Sequence, residues 1–428
     1  MARHAHAAGT AVERRAGMNL DIAPIVASLK RSKLGAGLLV LQIALTLAIV
    51  CNVLFIVGSR GVAMSRPTGL DEAHVFALGY RLDNPEKARG VRDADLAALR
   101  SISGVTDAVA TNCYPLRGTC WTEGVSRRPG ARDIQSQDGN VSVYAFDQHG
   151  VGTFGLRLIA GRNFGENDLV EGSYNLGPLP SVAMITQTLA RRLFREGAAL
   201  GQSIYLSSYP GQPLRIVGVV ERLQAPGAAS TIDESAAEDS VVLPMIDRGP
   251  RGLYLVRMHA GDMNRVMSMS RDALLEVNPQ RTLGRIKPLA DVREAAYEND
   301  RSMFIALTTV CVVLVLVTAL GIVGLTSFWV GRRRRQIGIR RALGATRASI
   351  VRYFLTENAL LCIAGVIVGA ALAEALNAWL GHAYNVGALP VWEVLCSAVL
   401  VLVLGQLAAS VPSWRASRVE PVQALRSV

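Results

Sequence analysis

Residues 331–360 read GRRRRQIGIRRALGATRASIVRYFLTENAL, and they decide how the rest of the chain is laid out. Eight arginines (Arg332, Arg333, Arg334, Arg335, Arg340, Arg341, Arg347 and Arg352) fall between two apolar runs, Met303–Val330 and Leu360–Leu380. Charge alone would make this a loop retained on the cytoplasmic side of a membrane. The stretch carries more than charge. Ile337, Ile339, Leu343 and Ile350 are apolar, Gly338 and Gly344 punctuate it, and a second helix start falls near Thr346. The pattern predicts a short helix, a tight glycine turn and re-entry into the membrane. A cytoplasmic helix with exposed apolar residues is a docking surface.

Four runs are long and apolar enough to cross a hydrocarbon core of about 30 Å, which takes about 20 residues. They are 34–57, interrupted only by Gln42, Thr46 and Asn52; 303–330; 360–380, with Glu374; and 394–411, with Gln406 near its end. The first is longer than a signal-peptide core and lacks a clean cleavage site, so it reads as a retained anchor. Its flank holds Arg3, Arg14, Arg15, Lys30, Arg31 and Lys33; the tail 412–428 holds Arg415, Arg418 and Arg426; the loop 381–393 has no lysine or arginine. Both termini and 331–359 are therefore expected in the cytoplasm, with 58–302 and 381–393 outside, as in a multi-pass inner-membrane protein. Within 1–33, Ile22, Ile25 and Leu29 precede a basic patch at helical spacing, which predicts an amphipathic helix on the cytoplasmic leaflet, in contact with membrane lipids. Residues 1–17 show no periodicity, and Met18 is an alternative start.

The 428 residues carry a net charge of +11 and a mean hydropathy of +0.28. Residues 58–303 hold 28 basic and 28 acidic side chains, whereas the remainder holds 17 basic and 6 acidic. The whole excess flanks the apolar runs. A nucleic-acid-binding protein would place it on the folded domain, so that class is set aside.

The polar domain reads as mixed α/β. Strand 73–82, helix 93–101 and strand 105–113 form one βαβ unit; strand 252–259, helix 263–277 and strand 281–287 form another. Between them, 141–159 and 213–220 read as strands, and an apolar strand 182–185 leads into a helix 187–195. No hydrolase elbow and no zinc-protease motif occurs. His74, His149 and His259 have no helical pairing that would hold a metal. Asp233, Glu234, Glu238 and Asp239 lack the glycine punctuation of a calcium loop and read as a solvated loop. Cys113 and Cys120 are candidates for a disulfide in an extracytoplasmic domain, two free thiols or spaced core residues being the alternative. Gly365 and Gly369 form a Gly-x-x-x-Gly pair that permits close helix contact, within the subunit or against a partner.

The segment Arg335, Gln336, Ile337, Gly338, Ile339, Arg340, Arg341, Ala342, Leu343, Gly344, Ala345 resembles the loop of MacB/FtsX/LolC-type ABC permeases. That family typically reads R-x-R-E-I-G-I-x-R-A-L-G-A-S/T there. Gln336 replaces the usual glutamate, which would turn a salt bridge into a neutral hydrogen bond. GLRLIAGRNF (155–164), the run 181–220 and the ending PSWRASRVEPVQALRS resemble the family's periplasmic core and C-terminus; MNLDIAPIVASLKRSK departs from the usual MacB opening and resembles stand-alone MacB-like permeases.

The resemblance implies a four-span α-helical membrane protein with an extracytoplasmic α+β domain, in which two porter-like βαβ units carry an inserted β-rich lobe at about 116–250. It implies that 335–345 is the coupling segment for an ATPase. No Gly-x-x-x-x-Gly-Lys-Ser/Thr occurs, so ATP and Mg are expected on a separate ABC ATPase subunit. This chain is expected to be non-catalytic and to bind no cofactor or metal. A second permease copy or paralogue, a periplasmic adaptor and an outer-membrane channel are the other implied partners. Efflux by mechanotransmission is the implied function; lipoprotein release and FtsX-like regulation of a periplasmic partner are the alternatives.

Overall fold

A computed structural model describes residues 33–83, 88–130, 141–172, 178–194, 199–227, 237–247, 249–384 and 387–418. The amphipathic segment 21–33 (save Lys33), the tail beyond Arg418, Asp233 and Glu234 lie outside those residues. The chain divides into two units, residues 1–55 with 308–428 and residues 56–307.

The first unit holds the apolar runs. Helix α1 spans Lys33–Ser65. The other three long helices, numbered in chain order with the shorter ones described below, are α7 (Glu298–Arg332), α9 (Arg347–Tyr384) and α10 (Val391–Ser417). All four are long and apolar enough to span a membrane. Each helix runs past its apolar run, because helix propensity does not stop where hydropathy does; α9 begins 13 residues before Leu360. Leu39, Ile43, Leu47, Cys51, Ile322, Trp329, Cys362 and Ala409 form the shared core. Gly365 and Gly369 lie on the face of α9 that meets α1. A Cβ on Gly365 would stand 2.7 Å from Ile43 Cγ2, and one on Gly369 2.9 Å from the Ala44 carbonyl oxygen. The pair thus serves contact inside the subunit, where only hydrogen fits between the two backbones.

Polar side chains in these helices bond to neighbouring helices. Thr46 and Thr318 share a 2.7 Å hydrogen bond, Gln42 donates to the Val317 carbonyl, and Asn52 donates to that of Ala373. Asn377 bonds to the backbone of Gly387 and Leu389.

The second unit is built on a sheet in the order Arg281–Leu283, Val75–Leu82, Arg251–Met258, Val105–Thr111. Strand 251–258 runs antiparallel to both 75–82 and 105–111. The two βαβ units are therefore split: each inserts a strand of the other between its own, giving a ferredoxin-like 4-1-3-2 order. Strand 281–287 is interrupted; Arg281–Leu283 and Lys287–Pro288 pair separately with 75–82. The crossover helices α2 (Ala88–Ser101) and α5 (Met263–Val277) cover one face through Leu96, Leu99, Val266 and Leu274. Asp262 caps α5 by accepting from the Arg265 amide.

The other face packs against an inserted lobe between Thr111 and Arg251. Val75, Val109 and Leu255 meet Tyr144, Phe146, Phe154 and Met184 there. The lobe's sheet runs Thr122–Glu123, Val141–Ala145, Ser240–Leu243, Val182–Thr186, Tyr209–Val220, Ser203–Leu206, Val125–Ser126. Residues 141–159 are not one strand. The Asp147 side chain accepts from the His149 amide and opens a turn, helix α3 (Gly150–Phe154) follows, and Gly155 closes it at φ 74°. Helix α4 (Gln187–Leu193) follows strand 182–186. Asp239 is not solvated: it is 1% exposed and paired with Arg192, while Glu238 pairs with Arg222. Cys113 and Cys120 are joined as a disulfide, Cα atoms 6.2 Å apart.

Helix α6 (Leu289–Ala296) completes the unit. Its Arg293 donates to the carbonyls of Met64 (3.0 Å) and Arg66 (2.8 Å), at the C-terminal end of α1. Tyr297 donates to the carbonyl of Ala63. These groups satisfy carbonyls that a helix end leaves without intrahelical partners. Glu72 holds Arg293 in place at 2.6 Å. Burial alone would raise the Glu72 carboxyl, but hydrogen bonds from Arg293 and Thr68 outweigh it and hold it below the usual carboxylate range.

Candidate functional site

The arginine-rich loop folds as a helical hairpin between α7 and α9. The α7 chain bends at Arg333 into helix α8 (Arg334–Ala342). Arg333 donates to both carboxylate oxygens of Glu357 at 2.9 and 2.7 Å, and Glu357 is 2% exposed. Both bonds leave one guanidinium nitrogen, Nη1, and this charge-assisted contact is stronger than a neutral hydrogen bond. It ties the bend to the first turns of α9.

The end of α8 follows from the sequence Leu343-Gly344-Ala345. The Gly344 amide donates to the Arg341 carbonyl, and the Ala345 amide to that of Arg340. Gly344 adopts φ 97°, the left-handed conformation that this Schellman closure requires. Thr346 then caps α9 by accepting from the Ser349 amide at 3.2 Å. Stop and start are thus encoded within six residues.

The apolar positions divide into two sets. Ile337 and Ile350 are both 5% exposed, and they pack with Phe354 and Ala416 under the hairpin. Gly338 is buried beside them. Ile339 is 43% exposed and Leu343 83% exposed. Arg335, Gln336, Arg340 and Ala342 are also exposed, Arg341 and Ala345 half-buried. Arg340 sits 4.9 Å over the Tyr353 ring, which steadies the outer face. The hairpin therefore presents a basic surface with two aliphatic projections, held by an inward aliphatic knob and a buried ion pair. Sequence reading found the segment but not Glu357; the cue was an acidic residue entering an apolar run within reach of four arginines.

The start of α8 is electrostatically poor. Arg334 and Arg335 occupy its first turn, with no acidic residue there and no side-chain cap. The unpaired amides at that end carry partial positive charge and favour anions. Gln336→Glu is expected to stabilise α8 by about 0.3–1 kcal/mol. Slower amide hydrogen exchange across 337–341 would show it; unchanged or faster exchange would rule it out.

Comparison with known proteins matches residues 38–296 to the MacB-like periplasmic core domain and residues 308–421, which contain the hairpin, to the FtsX-like permease C-terminal domain. The chain belongs to the MacB/FtsX-type ABC transporter permeases. It is 24% identical over 391 residues to the ABC transporter permease YknZ of Bacillus subtilis (strain 168), covering 86% of this chain and 89% of that protein. It is 23% identical over 360 residues to the macrolide export ATP-binding/permease protein MacB of Neisseria gonorrhoeae. That match covers 82% of this chain and about half (53%) of MacB. The extracellular domain of YknZ from Gram-positive bacteria overlays 49% of this chain and 100% of that domain at 14% identity and a TM-score of 0.30. As a MacB/FtsX-type permease, the chain is a membrane protein with a periplasmic region formed by its second unit.

Proposed function

We propose that this permease couples ATP hydrolysis on a separate ATPase subunit to conformational work in the periplasm, in an export system. The observation that carries the reading is Leu343: 83% exposed on a hairpin that the Arg333–Glu357 pair and the Ile337 cluster hold in place. Residues 335–345 would seat in the ATPase, with Ile339 and Leu343 as apolar anchors and the arginines as the charged rim. ATP and Mg would be bound by that subunit.

Motion would pass along α7, a continuous helix from Glu298 to Arg332, with α8 following at its cytoplasmic end. The chain would sit in the inner membrane with both termini cytoplasmic, the orientation that the arginine flanks favour. A second permease copy would complete the assembly; α7 exposes Val312, Val313, Leu316 and Leu320, a face for lipid and for that copy. The bonded state of Gln42, Thr46 and Asn52 leaves these side chains engaged between helices, which supports work done outside the membrane over passage through its centre.

Co-purification from native membranes in mild detergent tests the proposal. An ABC ATPase recovered in stoichiometric amount supports it, and its absence counts against it. A co-recovered adaptor and outer-membrane channel would place the system in efflux, a lipoprotein chaperone in lipoprotein release, and a cell-wall hydrolase in regulation.

A further inference from the structure

One cleft in the second unit gathers three arginines that the proposed coupling does not use. It lies at one end of the ferredoxin-like sheet, where strands 75–82 and 105–111 finish and strand 251–258 begins, with a volume of about 180 Å³. Arg92, Arg117 and Arg251 line it from three separate segments: helix α2, the disulfide loop of the lobe, and the strand start. Asp247 is the one carboxylate among the described lining residues, and Arg92 also lies in the field of the buried Asp95 carboxylate, so the accessible positive charge of the cleft is that of the exposed Arg117 and Arg251. Guanidinium groups that converge on a partly enclosed space offer an oxyanion placed between them paired, charge-assisted N–H donors.

The positions are constructed. Arg92 is 3% exposed and its Nε lies 3.3 Å from the Tyr80 hydroxyl. Tyr80 stacks on Tyr254 at 4.6 Å. It also lies across Gly252, where a Cβ would come within 2.3 Å of its hydroxyl oxygen, so the glycine makes room for the phenol. Arg117 is set by the loop that Cys113–Cys120 closes. Its neighbour Leu116 has φ 63°, the one left-handed non-glycine residue among those described. A bulky residue held there marks backbone fixed by its surroundings. Arg117 donates to the Asn112 carbonyl at 2.7 Å and lies over the Tyr114 ring, which fixes the direction of its side chain.

We propose that this cleft is a binding site for an oxyanion group, carboxylate or phosphate, carried by a periplasmic ligand, with Arg117 and Arg251 as its exposed donors and Arg92 with Tyr80 as its floor. The site joins the ferredoxin-like half to the lobe, so an occupant would bridge the two. It is independent of the coupling hairpin.

The test is isothermal titration calorimetry on the full chain in an uncharged detergent at low chloride, with inorganic phosphate and with succinate as probes. Saturable binding of at least one probe is expected, at least tenfold weaker in Arg117→Gln and in Arg251→Gln and lost in the double variant. Arg157→Gln, which removes an exposed arginine paired with Glu221, is expected to leave affinity unchanged. Preference for phosphate would assign a phosphate-bearing ligand, and preference for succinate a carboxylate. No saturable binding of either probe would overturn the proposal, as would equal weakening by Arg157→Gln and Arg251→Gln, which would reveal diffuse surface charge. The thermal midpoint of each variant checks folding; Arg251 is exposed at a strand start, so its variant carries the test if Arg117→Gln unfolds.

Discussion

Leu343→Glu is expected to release the ATPase subunit and to abolish ATPase stimulation by the permease while leaving the permease folded. An anchoring leucine contributes about 1.5–3 kcal/mol when its side chain is buried. The substitution removes that and would place an unpaired carboxylate in the interface, so association should weaken by at least tenfold. Leu343 is 83% exposed in the subunit itself, so the thermal midpoint of the isolated permease should not move. Ile337→Glu should behave in the opposite sense. Ile337 packs with Ile350, Phe354 and Ala416, and a buried carboxylate there should lower the midpoint before any partner is involved. Pull-down and ATPase assays on the two variants separate the roles. If Leu343→Glu keeps full ATPase binding, the hairpin is not the seat of the motor.

Arg281→Met is expected to cost the second unit about 3–5 kcal/mol, the range for breaking one side of a buried ion pair. Arg281 and Asp95 are both fully buried side chains, joined by two bonds of 2.6 and 2.8 Å. The Tyr254 hydroxyl donates to the same carboxylate at 2.8 Å. Burial pushes the Asp95 carboxyl up, and the Arg281 and Tyr254 hydrogen bonds offset part of that rise. Without Arg281, the carboxylate would keep its desolvation and lose its counter-charge. Adding Asp95→Leu should recover most of the loss, because the penalty lies in the unpaired charge rather than in the missing contact. Hydrogen exchange of strands 75–82 and 251–258 in the full chain would report both variants. A loss below about 1 kcal/mol in Arg281→Met would show that water reaches the site on opening.

The hairpin shows how much of the site could be read from residues alone. Gly344 and Thr346 announced a turn and a helix start, and the structure places a Schellman closure and an N-cap there. What the letters did not distinguish was which isoleucine faces inward. Ile337 and Ile339 are two apart on a helix, about 200° around the axis, so the two cannot face the same surface. Only the arrival of Phe354 and Ala416 from other helices determines which. Glu357 was passed over for a similar reason: its counter-charge is 24 residues away and becomes a neighbour only when the hairpin closes.

The sequence by itself determined the four membrane helices, their expected orientation and the α+β character of the intervening domain. Those properties rest on hydropathy, flanking charge and short-range periodicity, which act within a few residues. Tertiary structure decided everything that depends on meeting partners. It interleaved the two βαβ units, because a strand's neighbours are chosen by hydrogen bonding across the sheet and not by order in the chain. It set Gly365 and Gly369 against α1, buried Asp239 beneath Arg192, and brought Arg92, Arg117 and Arg251 around one cleft. Each of these joins residues at least 25 positions apart in sequence to one another or to a partner helix, where local patterning carries no information and close packing and charge pairing do.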